Sequence, residues 1–206
     1  MEENLMTKIW KNYLKILKNN KKFLIIFTLV KTFVFLSIFS CKKVDEHGFK
    51  TYTIKENKHR STYKYKTTRN NEFYIECIFD SSAIYTAVDP LNQYDVNKLW
   101  GVSDCGDGHM ENSIRLGWRW LNDSLEIHWF KHQSGQFTFE KITTISLCET
   151  IPILLHIKQD NYIICVDGTC DSTERNCDGE YKRYFLYPYF GGDETAPHCI
   201  RIKIKE

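Results

Sequence analysis

From residue 73 onward the chain alternates apolar and polar positions in short runs, the period of two that sends successive side chains to opposite faces of a strand. Phe73, Ile75, Cys77 and Phe79 fall on one side, Tyr74, Glu76, Ile78 and Asp80 on the other, and the run stops at Ser81-Ser82. Ala83 to Val88 can extend it as far as the turn at Asp89-Pro90. Residues 91 to 112 show no period and read as a long irregular loop, a kind of segment that often serves function. The alternation then returns, with Ile114, Leu116, Trp118 and Trp120 on one face and Ser113, Arg115, Gly117 and Arg119 on the other. Asn122-Asp123 supplies a turn, and Leu125, Ile127 and Trp129 alternate with Glu126, His128 and Phe130, so 113–120 and 125–130 read as a hairpin. Further strands are expected at 137–145, 153–157 and 162–166, and in the last segment, where Ile200, Ile202 and Ile204 alternate with Arg201, Lys203 and Lys205. With no amphipathic helix legible after residue 41, the pattern calls for an all-β sandwich or barrel.

The front of the chain is of another kind. Lys8, Lys11, Lys15, Lys18, Lys21 and Lys22 precede an apolar run, Phe23 to Val30, that Lys31 interrupts. A membrane span needs about 20 uninterrupted apolar residues, so this run fits the basic and hydrophobic regions of a signal peptide better. It ends in Leu36-Ser37-Ile38-Phe39-Ser40-Cys41, which resembles a bacterial lipobox with Cys41 as the lipidated first mature residue. An uncleaved N-terminal anchor is the alternative. The expected organisation is a lipoprotein signal peptide over 1–40, the lipidated cysteine and a charged tether over 41–70, and a β-sandwich domain over 71–206. It places the protein on the bacterial outer membrane or cell surface.

Removing residues 1–40 takes away seven of the 28 basic and two of the 26 acidic side chains, leaving 21 and 24 and turning a net charge of +2 into −3. The basic balance therefore belongs to the signal, and a nucleic-acid partner is not expected. Seven cysteines follow Cys41, an odd number for an exported chain. Cys170 and Cys177 flank a loop-like segment and are the expected disulfide, whereas Cys77 and Cys165 sit in apolar alternation and read as buried hydrophobes. The cysteine spacings match no common structural zinc pattern. No cofactor is expected. Calcium is the one side possibility, at Asp104, Asp107 and Glu111 or at Asp193 and Glu194, where carboxylates cluster.

Residues 184–198 concentrate aromatics, paired glycines, paired carboxylates and a histidine directly before the last strand. Together with the two arginines of one strand face they suggest a glycan groove. Arg115, Trp118 and Arg119 with Glu111 would form its floor, and Tyr187, Tyr189, Gly191, Gly192, Asp193, Glu194 and His198 a wall. Sugars offer hydroxyls to carboxylates and apolar faces to aromatic rings, and arginine pairs with anionic oxygens. Gly117 between the arginines would leave room for a ligand to lie flat. A solvated, salt-bridged sheet face is the alternative for the same arginines.

Several motifs support a resemblance. Asn92-Gln93-Tyr94-Asp95, Ser103-Asp104-Cys105, His109-Met110-Glu111-Asn112-Ser113, Leu116-Gly117-Trp118-Arg119-Trp120 and Leu186-Tyr187-Pro188-Tyr189-Phe190-Gly191-Gly192-Asp193-Glu194, followed by Ala196-Pro197-His198, are similar to a family of uncharacterised Bacteroidetes surface lipoproteins. The strand order is also similar to concanavalin-like jelly rolls that bind or cleave polysaccharides. The resemblance implies a jelly roll and a polysaccharide ligand. Three functions follow. The first is a surface-anchored glycan-binding lipoprotein. The second is a polysaccharide lyase acting on a uronate, with Arg115 and Asn112 neutralising the carboxylate, His109 or His198 as base and Tyr187 or Tyr189 as acid. The third is a non-enzymatic lipoprotein that docks a partner. A glycosidase ranks lower, because the adjacent carboxylates of Asp193 and Glu194 would diverge in an extended segment.

Overall fold

The computed structural model describes residues 44–62 and 64–206, with Thr7, Lys8, Lys11, Asn12 and Lys15 helical in the N-terminal segment. The hydrophobic region of the expected signal peptide and the expected lipid site at Cys41 lie outside the described residues. The chain divides into residues 1–43 and the unit Val44–Glu206, to which everything below refers.

That unit is built from twelve strands: β1 (Lys50–Ile54), β2 (Thr67–Thr68), β3 (Glu72–Phe79), β4 (Asn97–Ser103), β5 (Ser113–Leu121), β6 (Ser124–Gln133), β7 (Gln136–Ile145), β8 (Ile151–Ile157), β9 (Asn161–Val166), β10 (Thr169–Glu174), β11 (Arg183–Leu186) and β12 (Ile200–Lys205). They form two six-stranded antiparallel sheets, ordered β1-β12-β3-β8-β9-β10 and β2-β11-β4-β5-β6-β7. Consecutive strands β4 to β7 are neighbours, joined at two places by tight turns. At these turns Asn122, Asp123 and Ser134 take positive φ. Neighbours distant in sequence, such as β12 beside β1 and β3, make the sandwich wind back on itself in the manner of a jelly roll.

The core lies between the sheets. The inward faces of the alternating runs meet there, Phe79, Ile153, Leu155 and Ile164 from one sheet against Leu99, Ile114, Leu116, Trp118 and Ile127 from the other. Phe79 and Trp118 touch across the layer with ring centroids 5.3 Å apart. Each such side chain contributes about 1.5–3 kcal/mol through burial. Alternation is thus what fixes which residues can face out of the second sheet. On β5 these are Ser113, Arg115, Gly117 and Arg119. They pair across with His132, Phe130, His128 and Glu126 on β6.

Four expectations are corrected. The stretch 91–112 is not one loop: residues 97–103 form β4, central in its sheet, whose uniform burial hides any alternation. Residues 50–54, expected in the tether, form β1 and pair with β12, and Asp45 already caps the turn before β1 by accepting from the Phe49 amide. The disulfides are Cys105–Cys177 and Cys165–Cys170, not Cys170–Cys177. Cys165 and Cys170 stand directly opposite in the β9–β10 pairing, so Cys165 is a bridge member rather than a buried hydrophobe. Cys77 is a free buried thiol, as its alternation implies.

The fourth correction concerns Asp104. Its carboxylate is fully buried and accepts from Arg175 Nε at 2.6 Å, Arg183 Nε at 2.8 Å and the Tyr162 hydroxyl at 2.8 Å. Burial alone would raise its pKa, but the bonds from Arg175 and the charge of Arg183 hold it below the usual carboxylate value. Arg175 also donates to the carbonyls of Gln159, Cys177 and Gly179, so this one carboxylate ties β4, β9 and the segment before β11 together. With Asp104 committed to two arginines, the calcium set Asp104, Asp107 and Glu111 does not form. Asp107 instead accepts from Asn112, and the Glu111 carboxylate lies beside Gly135.

Candidate functional site

Across the β4–β5 pairing Gly101 faces Arg115. A Cβ at Gly101 would collide with the Ile114 carbonyl and with Arg115 itself. The glycine therefore lets the arginine fold over β4, where its Nη2 donates to the carbonyl of Tyr187 at 3.0 Å. Arg115 is only 7% exposed, its Nε has no hydrogen-bond partner, and among the described residues no carboxylate pairs with it. Burial lowers its pKa, though the guanidinium keeps its proton. A buried cation without a counter-ion is costly.

Arg115 sits in a cleft of about 350 Å³, whose walls include Arg60, His109, Tyr184, Leu186, Pro188 and Tyr189. The His109 amide donates to the Tyr184 hydroxyl at 2.7 Å, and the same hydroxyl shares a 3.0 Å hydrogen bond with His109 Nδ1. Burial, then the charges of Arg115 and Arg60, lower the His109 pKa, so the imidazole is neutral at pH 7. Tyr189 stacks on His59 with centroids 5.2 Å apart, which fixes its ring.

Lys98 on β4 adds a second cation. Its Nζ donates to the Val96 carbonyl at 2.7 Å and lies 4.1 Å from the centre of the Phe130 ring. Burial pushes the amine down to about 8. His132, on the same face, is lowered to about 4 by burial and by the charges of Arg115 and Lys98. Gly191 leaves the space this amine occupies, since a Cβ there would stand 2.7 Å from Nζ. Its own amide donates to Asn97 at 2.8 Å, which anchors the glycine loop to β4.

The two arginines of β5 separate into the two roles open to them. Arg119 Nε donates to Glu126 at 2.6 Å, and Lys141 and His128 bond the same carboxylate at 2.9 and 3.2 Å, so this end of the face is a closed ion network. Burial would raise the Glu126 pKa, but the bonds from Lys141 and Arg119 bring it to about 2. Arg115 alone remains open. Gly117 leaves no gap either, because Val96 fills the space its side chain would take.

Of the other expected site residues, Tyr187 lines the cleft and the rest lie elsewhere. Trp118 is a core residue packed on Phe79 and Tyr85. Tyr187 is buried and stacks on Tyr52 at 5.3 Å, and it gives Arg115 its carbonyl. Glu194 clamps the turn at Val88 and Asp89 by accepting both amides at 2.9 and 2.6 Å and the Asn92 amide group at 3.0 Å. His198 Nε2 bonds the Ser82 carbonyl at 2.9 Å, and Asn112 ties Asp107 to Ser134. Glu111 and Asp193 are exposed loop residues outside the cleft, and Gly192 supplies a positive φ of 78° for the turn. The structure thus brings together His109, Arg115, Tyr187 and Tyr189 from the expected set. It adds Arg60, Lys98, Tyr184, Phe130 and His132. Tyr184 belongs to the aromatic run that the sequence marks, and the alternation of β6 puts Phe130 on Arg115's side, but nothing local marks Lys98.

The fold is a two-sheet jelly roll, an architecture it shares with solved structures of carbohydrate-processing proteins. The alginate lyase AlyC3 superposes with a TM-score of 0.52 over 79% of this chain and 75% of its own, at 11% identity. The catalytic domain of an endo-1,3-beta-glucanase (laminarinase) from Thermotoga petrophila gives 0.51 over 78% and 76%, at 12% identity. The carbohydrate-binding module CBM66 from Bacillus subtilis gives 0.43 over 77% and 92%, at 9% identity. Neither a protein-family profile nor a curated protein sequence matches the chain.

Proposed function

We propose that this protein is a surface-anchored lipoprotein that binds an acidic polysaccharide in the Arg115 cleft. The observation that carries the reading is Arg115 itself: a buried guanidinium with a free Nε, no carboxylate partner among the described residues, and a second, partly buried cation, Lys98, on the neighbouring strand. A uronate carboxylate or a sulfate would supply the missing charge. Tyr184 and Tyr189 give apolar faces and hydroxyls beside it, as sugar rings require. Anchoring through Cys41 would hold the domain at the membrane surface.

The His109–Tyr184 contact favours one second reading, a polysaccharide lyase. Arg115 would neutralise the uronate carboxylate, and neutral His109 would take the proton from the carbon beside it. The electron pair then forms the ring double bond as the glycosidic oxygen leaves, and Tyr184 or Tyr189 gives that oxygen a proton.

Affinity electrophoresis of the detergent-solubilised protein in gels cast with polyuronate, with absorbance read for unsaturated product, tests both. Retardation without absorbance supports binding. New absorbance that is lost in His109→Ala supports the lyase. Migration unchanged by polyuronate and by sulfated polysaccharide, with no product, rejects both.

A further inference from the structure

The outer face of the second sheet does not stop at Phe130. On the edge strand β7, Phe137 stands opposite His132 and Phe139 opposite Phe130. Both rings meet solvent, at 59% and 40% exposure. They are nonetheless ordered against Phe130: their planes are parallel to its ring within 9° and 4°, at centroid separations of 5.5 and 5.9 Å. Phe130 is buried and has the Lys98 amine against it. One row therefore crosses four strands in register, Gly101, Arg115, Phe130 and Phe139, leading from the open cation to the exposed rings with no carboxylate in it.

Exposed aromatics on an edge strand favour aggregation unless they have an occupant. The adjoining charges narrow what that occupant is. The other end of the row needs an anion, and the ring end needs a flat apolar surface. A polysaccharide of acidic pyranose units carries carboxylates and apolar C–H faces on one chain and satisfies both at once. Two strand intervals separate Arg115 from Phe139, about 10 Å by ordinary sheet spacing, so the sugar over the rings is the third unit counted from the one at Arg115, beyond the reach of a disaccharide.

We infer that Phe137 and Phe139 form a sugar-stacking platform that continues the Arg115 cleft, so that the protein takes an extended acidic polysaccharide laid across the strands rather than a single sugar unit. This rests on the acidic-glycan reading of the cleft. It assigns a length preference to the site, and it makes β7 a recognition strand rather than only an edge.

The test is a calorimetric series of oligouronates, from disaccharide to hexasaccharide, against the full chain in detergent, with Phe137→Ala, Phe139→Ala, Phe139→Trp and Arg115→Ala variants. For the unaltered protein, affinity rises from disaccharide to tetrasaccharide. Either alanine variant removes roughly tenfold of that rise, the order of one aromatic contact, and leaves the disaccharide unchanged. Phe139→Trp keeps the rise, and Arg115→Ala weakens every length. Because both phenylalanines are exposed, melting temperatures should stay level and separate lost binding from lost folding.

If the disaccharide binds but affinity does not grow with length, or the alanine variants match the unaltered protein at every length, the platform is overturned while the cleft survives. If no oligouronate binds, the cleft reading fails and this inference with it. If the alanine variants convert a dimer to a monomer without altering oligouronate affinity, the rings are an interface between copies, and the inference is likewise overturned.

Discussion

Arg115 stands directly opposite Gly101, and the absence of a side chain there lets the guanidinium reach over β4 to the carbonyl of Tyr187. The cation is thereby held in a fixed, mostly dry position with its Nε unpaired. Gly101→Ala should disturb the site by pressing on Arg115 and the Ile114 carbonyl while leaving every ligand-facing group chemically intact. The expected result is a fall in polyuronate affinity close to that of Arg115→Ala, about 10–100-fold for a charged hydrogen-bonding group, checked by affinity electrophoresis. Affinity equal to that of the unaltered protein would mean that Arg115 needs no such path.

Charge on the cleft sets a pH window for binding. Lys98 titrates near 8 because burial disfavours its charged form, while a guanidinium stays charged even where burial lowers its pKa. Polyuronate affinity should therefore fall as pH rises through about 8 and level off above it. Lys98→Arg should remove that fall, and binding measured from pH 7 to 10 reads the difference.

Stability has the opposite pH trend, from groups on the same face. His128 and His132 are each lowered to about 4, chiefly by burial, from an ordinary value of 6.5. Between those values the unfolded chain takes up protons that the folded one refuses. Stability is thus lost as pH falls from about 6.5 to 4, with a slope approaching 1.4 kcal/mol per pH unit for each histidine at most. Glu126, held near 2 against an ordinary value of 4.5, contributes stability above 4.5 that is lost as pH falls through 4.5 to about 2. Denaturant midpoints against pH should show both limbs, and Glu126→Gln should remove the lower one.

The buried Asp104 knot and the Cys105–Cys177 bridge hold the same region. Asp104→Asn would leave Arg175 and Arg183 buried without their counter-ion, and the expected cost is about 3–5 kcal/mol in urea unfolding. Removing Cys105–Cys177, which spans 72 residues, should cost about 2–4 kcal/mol, and removing Cys165–Cys170, which spans five, much less. Peptide mapping under non-reducing conditions should recover these two bridges and none between Cys170 and Cys177.

The strands whose two faces differ in polarity were readable, because alternation reports that difference directly, even on β5 and β6, whose polar face is itself covered: β3, β5, β6, β8, β9 and β12 all appear within a few residues of where the pattern puts them. β4 was not, because a central strand buried on both sides has no alternation to show. β1 was hidden by its lysine-rich setting, since Lys50 and Lys55 border it and its partner β12 is 150 residues away in sequence. For the site, the face carrying Arg115 was legible, but the division of labour between Arg115 and Arg119 was not. It depends on Glu126, which reaches Arg119 across the hairpin and cannot reach Arg115. Glu194 and His198 looked like ligand groups because of their composition, yet both satisfy backbone groups that only the folded turns present.

The central claim is that Arg115 is kept buried and unpaired to receive an anion, at a cost to the fold. Arg115→Met, which fills the same space without charge, tests it most directly when thermal melting and oligouronate titration are done on the same sample. The account predicts a melting temperature equal to or above that of the unaltered protein, together with loss of oligouronate binding. A melting temperature lowered by several degrees with binding intact would contradict it and make Arg115 a structural residue.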